Sequence, residues 1–174
     1  MWWVCELGNP GGCTEELMRE LPELNLNERG MPVQRSAPSR ELIQAFQTYF
    51  RVELPDEYLH LLRYSNGGHP ELDSIQPIGS CGTAWWSVDH FYHLDADDSS
   101  AASLWVAMER WRPILGATAI PFAADGGGNQ FFLDLSVSPP TVKVCVHDEC
   151  CSTVDLAPSF GAFIDALARH PDME

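Results

Sequence analysis

Two short apolar runs separated by three consecutive glycines constrain this chain more than any other stretch. The runs are Ile120 to Ala124 and Phe131 to Leu135, and the segment between them contains the triple glycine 126–128. Glycine adopts positive φ without a steric cost, so this segment can reverse the chain within a few residues. The pattern predicts a β-hairpin. Because both runs are almost continuously apolar, we expect the hairpin to lie in the middle of a sheet.

Four segments have the spacing of amphipathic helices. The first begins near Ser39, and the second begins at Pro55, where proline suits the first turn. Asn66-Gly67-Gly68 follows the second helix and is predicted to form its left-handed C-cap. We expect a third helix to end at Pro113 and a fourth to begin after Ser159, a good N-cap residue.

Further strands are predicted at Ile75–Ile78, Trp85–His90, Thr141–His147 and Thr153–Leu156. Helices lead the chain, the strands cluster in its middle with short connections, and a helix closes it. This order is typical of an α+β fold with a largely antiparallel central sheet and helices packed against it.

The length of 174 residues fits one domain. We predict that the domain spans residues 38–174 and that residues 1–37 form an N-terminal extension of unknown role. Within the extension, residues 25–37 lack a clear apolar period, which indicates a linker.

The charge of the chain is strongly negative. Ten basic residues against 25 acidic ones give a net charge of −15, and Lys143 is the only lysine. Such a chain repels phosphate backbones, which disfavours direct nucleic-acid binding, and it attracts basic proteins. Solubility alone is an equally simple explanation of the charge.

The absence of a signal-peptide pattern and of a membrane-span pattern indicates the cellular compartment that we expect for this chain. The N-terminus, Met1-Trp2-Trp3-Val4-Cys5-Glu6, lacks the basic and apolar regions of a signal peptide, and no run approaches the ~20 apolar residues of a membrane span. We therefore expect a cytoplasmic protein whose six cysteines are reduced.

Three segments, taken in order, resemble the SUKH superfamily, the Smi/Knr family of cell-wall-assembly regulators. The leading motif runs from Leu54 to Gly68, the central one from Ile120 to Asp134, and the closing one from Ser159 to Ile164. The positions that carry the resemblance are Leu54, Pro55, Tyr58, Asn66, Gly67, Gly68, Pro121, Asp125, Gly127, Gly128, Asn129, Asp134, Ser159, Phe160 and Phe163.

The resemblance covers roughly residues 38–170 and implies an α+β fold. For bacterial members it implies an immunity protein that binds and neutralises a cognate toxin, often a nuclease, of a polymorphic toxin system. For fungal members it implies a scaffold for signalling proteins. It implies no catalytic residues, and it does not extend to residues 1–37.

The glycines of the central motif could in principle cradle a phosphate. A phosphate-binding loop needs a lysine and a Ser or Thr after its glycines, and a dinucleotide site needs a following helix. Here Asn129 and Gln130 lead into a predicted strand, and Asp125 would repel an anion. We therefore interpret the segment as a hairpin loop, and we expect no cofactor.

Cysteine and histidine cluster after the predicted strand at 141–147. Cys145, His147, Cys150 and Cys151 are weak candidates for a zinc site, but the usual paired spacing is absent, and we favour cysteines that pack as small apolar side chains. Cys81 lacks the local signature of a catalytic cysteine. Paired acids leave a small metal-dependent hydrolase as a further alternative.

Our leading hypothesis is a non-enzymatic protein that captures a basic toxin domain. The alternative is a scaffold or regulatory domain with a different protein partner. Neighbouring tryptophans on a strand point to opposite faces, so one of the two at 85 and 86 is available for an interface if the sheet has an open face. The candidate partner-binding residues are Trp85, Trp86, Asp95, Asp97, Asp98, Asp148 and Glu149.

Overall fold

The computed structural model describes residues 18–79, 84–96 and 99–173, and within these ranges it contains four α-helices and nine β-strands. The helices are α1 (Arg40–Phe50), α2 (Asp56–Tyr64), α3 (Leu104–Leu115) and α4 (Phe160–Ala166). The strands are β1 (Asn27–Glu28), β2 (Met31–Pro32), β3 (Ser74–Ile75), β4 (Trp86–Ser87), β5 (His90–Phe91), β6 (Ala119–Ala124), β7 (Gln130–Asp134), β8 (Thr141–Val146) and β9 (Ser152–Ala157). Short 3-10 helices occupy Leu21–Leu24, His147–Glu149 and Pro171–Met173.

The predicted hairpin is the centre of the main sheet. The sheet has five strands in the order β5-β6-β7-β8-β9, and each neighbouring pair is antiparallel. β6 and β7 flank the triple glycine and pair from Ala119 with Asp134 to Ala124 with Gln130. Every residue of β6 is buried. The predicted α+β class with a largely antiparallel sheet is therefore confirmed.

The two faces of this sheet differ in what covers them. One face carries the main core, in which Phe131 and Leu133 of β7 and Val142 and Val144 of β8 pack with side chains from all four helices. The other face carries a second, smaller cluster of Ala119, Phe132 and Cys145. The alternation of side chains along β7 and β8 explains this division.

The helices begin where capping residues allow. The Ser39 hydroxyl accepts a hydrogen bond from Leu42 N–H at 3.1 Å, and the Ser159 hydroxyl accepts one from Ala162 N–H at 3.0 Å. Each contact satisfies one of the N–H groups that lack a partner at a helix start. Both predicted starts are therefore confirmed.

Two predicted helix ends are wrong. α2 ends on Ser65, whose backbone is extended, so Gly67 and Gly68 do not form its left-handed cap. α3 continues through Pro113 to Leu115. Proline costs a helix one hydrogen bond and one close contact, but its fixed φ is helical, so a helix near its end can tolerate it.

Residues 25–37 are not a linker. Asn27 and His69 exchange both backbone hydrogen bonds, with N···O distances of 2.9 and 2.7 Å. Leu21 and Leu24, just before this segment, and Leu26 within it are buried in the main core. The prediction failed because the turn Arg29-Gly30 separates strands of only two residues, too short to show a period.

The strands between α2 and α3 are shorter than predicted. Of the strand predicted at Ile75–Ile78, only Ile75 lies in β3, which begins one residue earlier at Ser74. The segment 85–90 divides into β4 and the first residue of β5. Within the described ranges, no helix has the length and apolar character to cross a membrane.

Candidate partner-binding surface

Carboxylates collect at one end of the five-stranded sheet. Asp89 immediately precedes β5 and donates its N–H to Ala124 O at 2.9 Å, which places it beside the start of the glycine loop. Asp125 begins that loop, and Asp148 and Glu149 follow β8 at the same end. We call Asp89, Asp125, Asp148 and Glu149 the acidic rim.

The glycine loop is closed by its own acid. Asp125 Oδ1 accepts hydrogen bonds from Gly127 N–H at 2.9 Å and Asn129 N–H at 2.8 Å, and Oδ2 accepts one from the Asn129 amide at 2.6 Å. The N–H groups that a phosphate would need therefore already have a partner. The loop leads into β7, which confirms the prediction of a hairpin loop.

Asn129 joins the glycine loop to the turn that follows β8. Asn129 Oδ1 accepts a hydrogen bond from His147 N–H at 3.0 Å and lies 3.2 Å from His147 Nδ1. Gly128, at φ +96°, passes close to the same ring: a Cβ there would lie 3.4 Å from His147 Cε1. His147 Nε2 lies 2.7 Å from Asp148 Oδ1. The central motif thus fixes the turn that carries Asp148 and Glu149.

The rim exposes its charge to solvent. The side chains of Asp148 and Asp89 are 83% and 58% exposed. Glu149 is also exposed, and it accepts a hydrogen bond from Ser152 Oγ at 3.0 Å. Acidic side chains held on a rigid sheet end can attract a basic partner without a large cost in ordering.

The candidate acids predicted from sequence have different surroundings. Asp148 and Glu149 lie in the acidic rim, whereas Asp97 and Asp98 lie outside the described residues. Asp95 is 3.5 Å from Arg35 Nε and 3.2 Å from His93 Nδ1, so part of its charge is neutralised within the domain. The structure brings Asp148 and Glu149 together, and it places Asp95 in a separate network.

The two candidate tryptophans also differ. Trp86 packs against the main core, and its buried indole N–H has no hydrogen-bond partner among the described residues. Trp85 is partly buried, as Trp86 is, but it lies against His170, with ring centroids 5.6 Å apart. Of the two, Trp85 has the surroundings of an accessible aromatic side chain.

The candidate metal ligands do not converge. Cys145 and Cys151 pack together in the small cluster, whereas His147 turns to Asn129 and Asp148, and Cys150 is exposed. The described residues contain no group of three His, Cys, Asp or Glu side chains with the geometry of a metal site. Cys81 lies outside them.

The three family-like motifs meet in the core. Tyr58 of the leading motif lies against Phe122 of β6 and Phe160 of α4, with ring centroids 6.0 and 5.5 Å apart, and Phe122 and Phe160 are 5.3 Å apart. Leu54 and Phe163 are buried in the same core. Burial raises the pKa of the Tyr58 hydroxyl far above its usual range. The side chains at these motif positions therefore lie in the core and stabilise the fold.

The segment that joins α2 to the following strands contains three motif positions, Asn66, Gly67 and Gly68. The Asn66 amide donates to Ser36 O at 2.9 Å and Leu94 O at 3.1 Å, and its Oδ1 accepts from Leu94 N–H at 2.7 Å. Gly67 and Gly68 have φ of +91° and +110°. A Cβ on Gly68 would lie 2.7 Å from Val33 Cγ2, so glycine is needed there for close approach as well as for conformation.

Pro121 lies in the middle of the central pairing, and Asp134 lies at one end of it. The register shifts between Pro121 and Ala123, a position where a strand tolerates a residue without an N–H. Asp134 Oδ1 accepts from Ser136 Oγ at 2.6 Å, and Oδ2 lies 3.0 Å from Lys143 Nζ. The hydrogen bond from Ser136 and the Lys143 ammonium hold the pKa of Asp134 below its usual value.

One feature near the acidic rim could not be predicted from the sequence. A polar cleft of about 930 Å³ separates the β1–β2 hairpin from β5, and its lining includes His69, Asp89 and His90. His69 Nδ1 donates to Asp89 O at 2.7 Å, and His90 Nδ1 lies 2.9 Å from Asp89 Oδ2. The bridge between Gly68 and Phe91 brings together the two segments that carry these histidines, and local periodicity could not predict that pairing.

Comparison with protein-family models identifies the family of the chain. A family model described as the SMI1 / KNR4 family (SUKH-1) matches residues 37–166, which is most of the chain. The match includes all fifteen motif positions, and it includes every residue of the acidic rim. No curated protein matches the chain.

Proposed function

Because the chain belongs to the SMI1 / KNR4 family (SUKH-1), we propose that it is a cytoplasmic, non-enzymatic immunity protein that binds and neutralises a cognate toxin. The toxin would be a basic domain, such as a nuclease. Binding would cover the surface by which the toxin engages its own target, and it would require no cofactor and no contact of this chain with nucleic acid or membrane.

The acidic rim is the observation that carries the proposal. Its carboxylates lie at one end of a sheet whose central strand β6 is fully buried and whose loops are joined through Asn129 and His147. A partner therefore meets a negative surface that is already ordered, so little conformational entropy is lost on binding. Long-range attraction between this surface and a basic domain speeds the encounter.

The environment of the glycine loop supports a binding role over an enzymatic one. The loop donors point at Asp125 of the same loop, which leaves them unavailable to a substrate anion. The motif residues Tyr58, Asn66 and Phe160 are buried. Tyr58 packs against Phe160, and the Asn66 amide bonds to backbone groups, so these residues hold the fold rather than face a substrate.

Co-purification with toxin candidates tests the proposal. The tagged full chain is co-expressed with each toxin-like domain encoded beside its gene, and complexes are purified at low and at high salt. We expect one domain to co-purify at a 1:1 ratio and to lose its toxic activity when the chain is stoichiometric.

Two outcomes would contradict the proposal. Failure to capture any neighbouring toxin domain at either salt concentration would remove the toxin as a partner. Capture without loss of toxic activity would favour a scaffold instead. An inactive toxin variant provides the matched control, because it should bind equally well while its activity is already absent.

A further inference from the structure

Three cysteines surround the connection between β8 and β9. Cys145 lies in β8 and is fully buried beside Ala119 and Phe132. Cys151 lies in the connection, is half-buried and packs against the same cluster, whereas Cys150 is exposed. Two of the three cysteines, Cys145 and Cys151, therefore pack in one cluster on the same face of the sheet.

The backbone explains how residues six positions apart meet. Cys145 pairs with Thr153 across β8 and β9, so Cys151 lies just before the position opposite Cys145. Cys150 and Cys151 have φ of 54° and 58°. Two consecutive left-handed residues turn the chain sharply, and they return the Cys151 side chain to the sheet face that holds Cys145. Such conformations cost free energy in residues other than glycine, so the surrounding packing maintains them.

We propose that Cys145 and Cys151 form a reversible oxidation site, in which a disulfide oxidant such as glutathione disulfide joins them into an intramolecular disulfide. The inference does not depend on the proposed toxin partner. It follows from two cysteines that pack in one cluster, one on a strand and the other on the adjacent turn.

The reaction balances in two exchange steps. The Cys151 thiolate attacks one sulfur of glutathione disulfide, the oxidant's S–S bond breaks, and one glutathione leaves as its thiolate. The Cys145 thiolate then attacks Cys151 Sγ in the mixed disulfide, and the second glutathione leaves. The two cysteine protons end on two glutathione thiols. The protein loses two electrons, which the oxidant gains.

The difference in burial between Cys145 and Cys151 determines which thiolate attacks the oxidant first. Burial, together with the contact to Cys151, raises the pKa of Cys145 to about 12, so its thiolate is rare at neutral pH. The less buried Cys151 meets the oxidant first. The second step is therefore slow at neutral pH and accelerates as the pH rises.

The disulfide would close a short ring that contains His147, Asp148 and Glu149. A covalent link between the two ends of this turn restricts the unfolded chain and fixes the turn in the folded one. For a ring of this size in a domain of this length, the expected rise in Tm is roughly 5 °C.

Disulfide mapping tests the site directly. The reduced full chain is incubated with glutathione disulfide at pH 8, denatured, alkylated and digested, and the linked peptides are identified by mass spectrometry. We expect a link between Cys145 and Cys151, an intact mass lower by about 2 Da, and the rise in Tm. The same link should form more slowly in urea, where the two thiols are no longer held together.

Cys150 provides the matched control. The Cys150→Ala variant should form the disulfide at the wild-type rate, whereas Cys151→Ala should keep Cys145 reduced. A link from Cys150 to either neighbour, a Cys145 that stays free in the native wild-type chain, or stoichiometric zinc bound by these thiols would each overturn the proposal.

Discussion

Glu57, in the first turn of α2, accepts a hydrogen bond from the backbone N–H of Gly161, in the first turn of α4, at 2.9 Å. The two residues are 104 positions apart, and they join the leading motif of the family to the closing one. A carboxylate at a helix start satisfies an N–H group that lacks a partner and interacts favourably with the helix dipole. Gly161 makes the approach possible, because a Cβ there would lie 2.8 Å from Glu57 Oε1.

This contact predicts coupled effects of two substitutions. Glu57→Ala should lower the free energy of unfolding by about 1 kcal/mol through loss of the hydrogen bond. Gly161→Ala alone should have a small effect, because the better helix propensity of alanine opposes displacement of Glu57. In the Glu57→Ala background, the same change should stabilise by about 0.5–1 kcal/mol. Urea denaturation of the four proteins measures the coupling, and strictly additive effects would show that the contact contributes nothing.

Asn66 supports a second stability prediction. Its buried amide makes three hydrogen bonds to backbone groups of Ser36 and Leu94. Asn66→Ala leaves the Leu94 N–H and C=O without these partners, so the free energy of unfolding should fall by about 2–3 kcal/mol. Gln44→Ala on the exposed face of α1 is the control and should change it by less than about 0.5 kcal/mol. Similar values for both variants in chemical denaturation would contradict the role of Asn66.

The sequence predicted the parts of this fold that depend on local pattern. The hairpin at 120–135 and the caps at Ser39 and Ser159 each combine a period with a turn or capping residue, and both signals lie within a few residues of each other. The failures have a different origin. Gly67 and Gly68 looked like a helix cap because their role, close approach to His93 and Val33, depends on residues distant in sequence.

The candidate surface was predicted only in part for the same reason. Asp148 and Glu149 were identifiable as an acidic turn after a strand. Asp125 joins them because β7 pairs with β8, and Asp89 joins them because β5 pairs with the end of β6; no local signal encodes these registers. Asp95 looked like a solvated loop acid, but Arg35 and His93 approach it from other elements.

Asp134 predicts how stability depends on pH. Its pKa is lowered in the folded chain by Ser136 and Lys143, so it binds a proton less readily there than in the unfolded chain. Its contribution is therefore present above the unfolded pKa of an aspartate, about 3.9, and is lost as the pH falls through the lower folded pKa. Asp134→Asn should cost about 1 kcal/mol at pH 7 and progressively less as the pH falls through the folded pKa.

Asp155 is the matched control for this pH experiment. It also lies near Lys143, at 3.5 Å, but its side chain is 85% exposed. Exposed pairs are screened by water, so Asp155→Asn should have little effect at either pH. Urea denaturation across the pH range gives both values. A loss for Asp134→Asn that is the same at pH 2 and pH 7 would show that packing, rather than charge, explains its effect.

The cysteines near β9 should differ in reactivity. With a pKa of about 12, only about one Cys145 thiol in ten thousand is ionised at pH 8. Iodoacetamide should therefore label the exposed Cys150 first and leave Cys145 unlabelled in the native chain, and the labelling of Cys145 should accelerate with pH up to that value. Peptide mapping at timed intervals measures the order. Rapid labelling of Cys145 at pH 8 in the folded chain would contradict its burial.

The acidic rim predicts a kinetic effect on partner capture. In the variant Asp148→Asn/Glu149→Gln, the association rate with the captured toxin domain should fall several-fold at low salt, while the dissociation rate changes less, because long-range attraction acts mainly on the encounter. Glu41→Gln/Glu53→Gln on and after α1 removes the same two charges from exposed positions outside the rim and is the matched control. Surface plasmon resonance at several salt concentrations separates the two rates. If both double variants slow association equally, the net charge of −15 attracts the partner and the rim has no special part in binding.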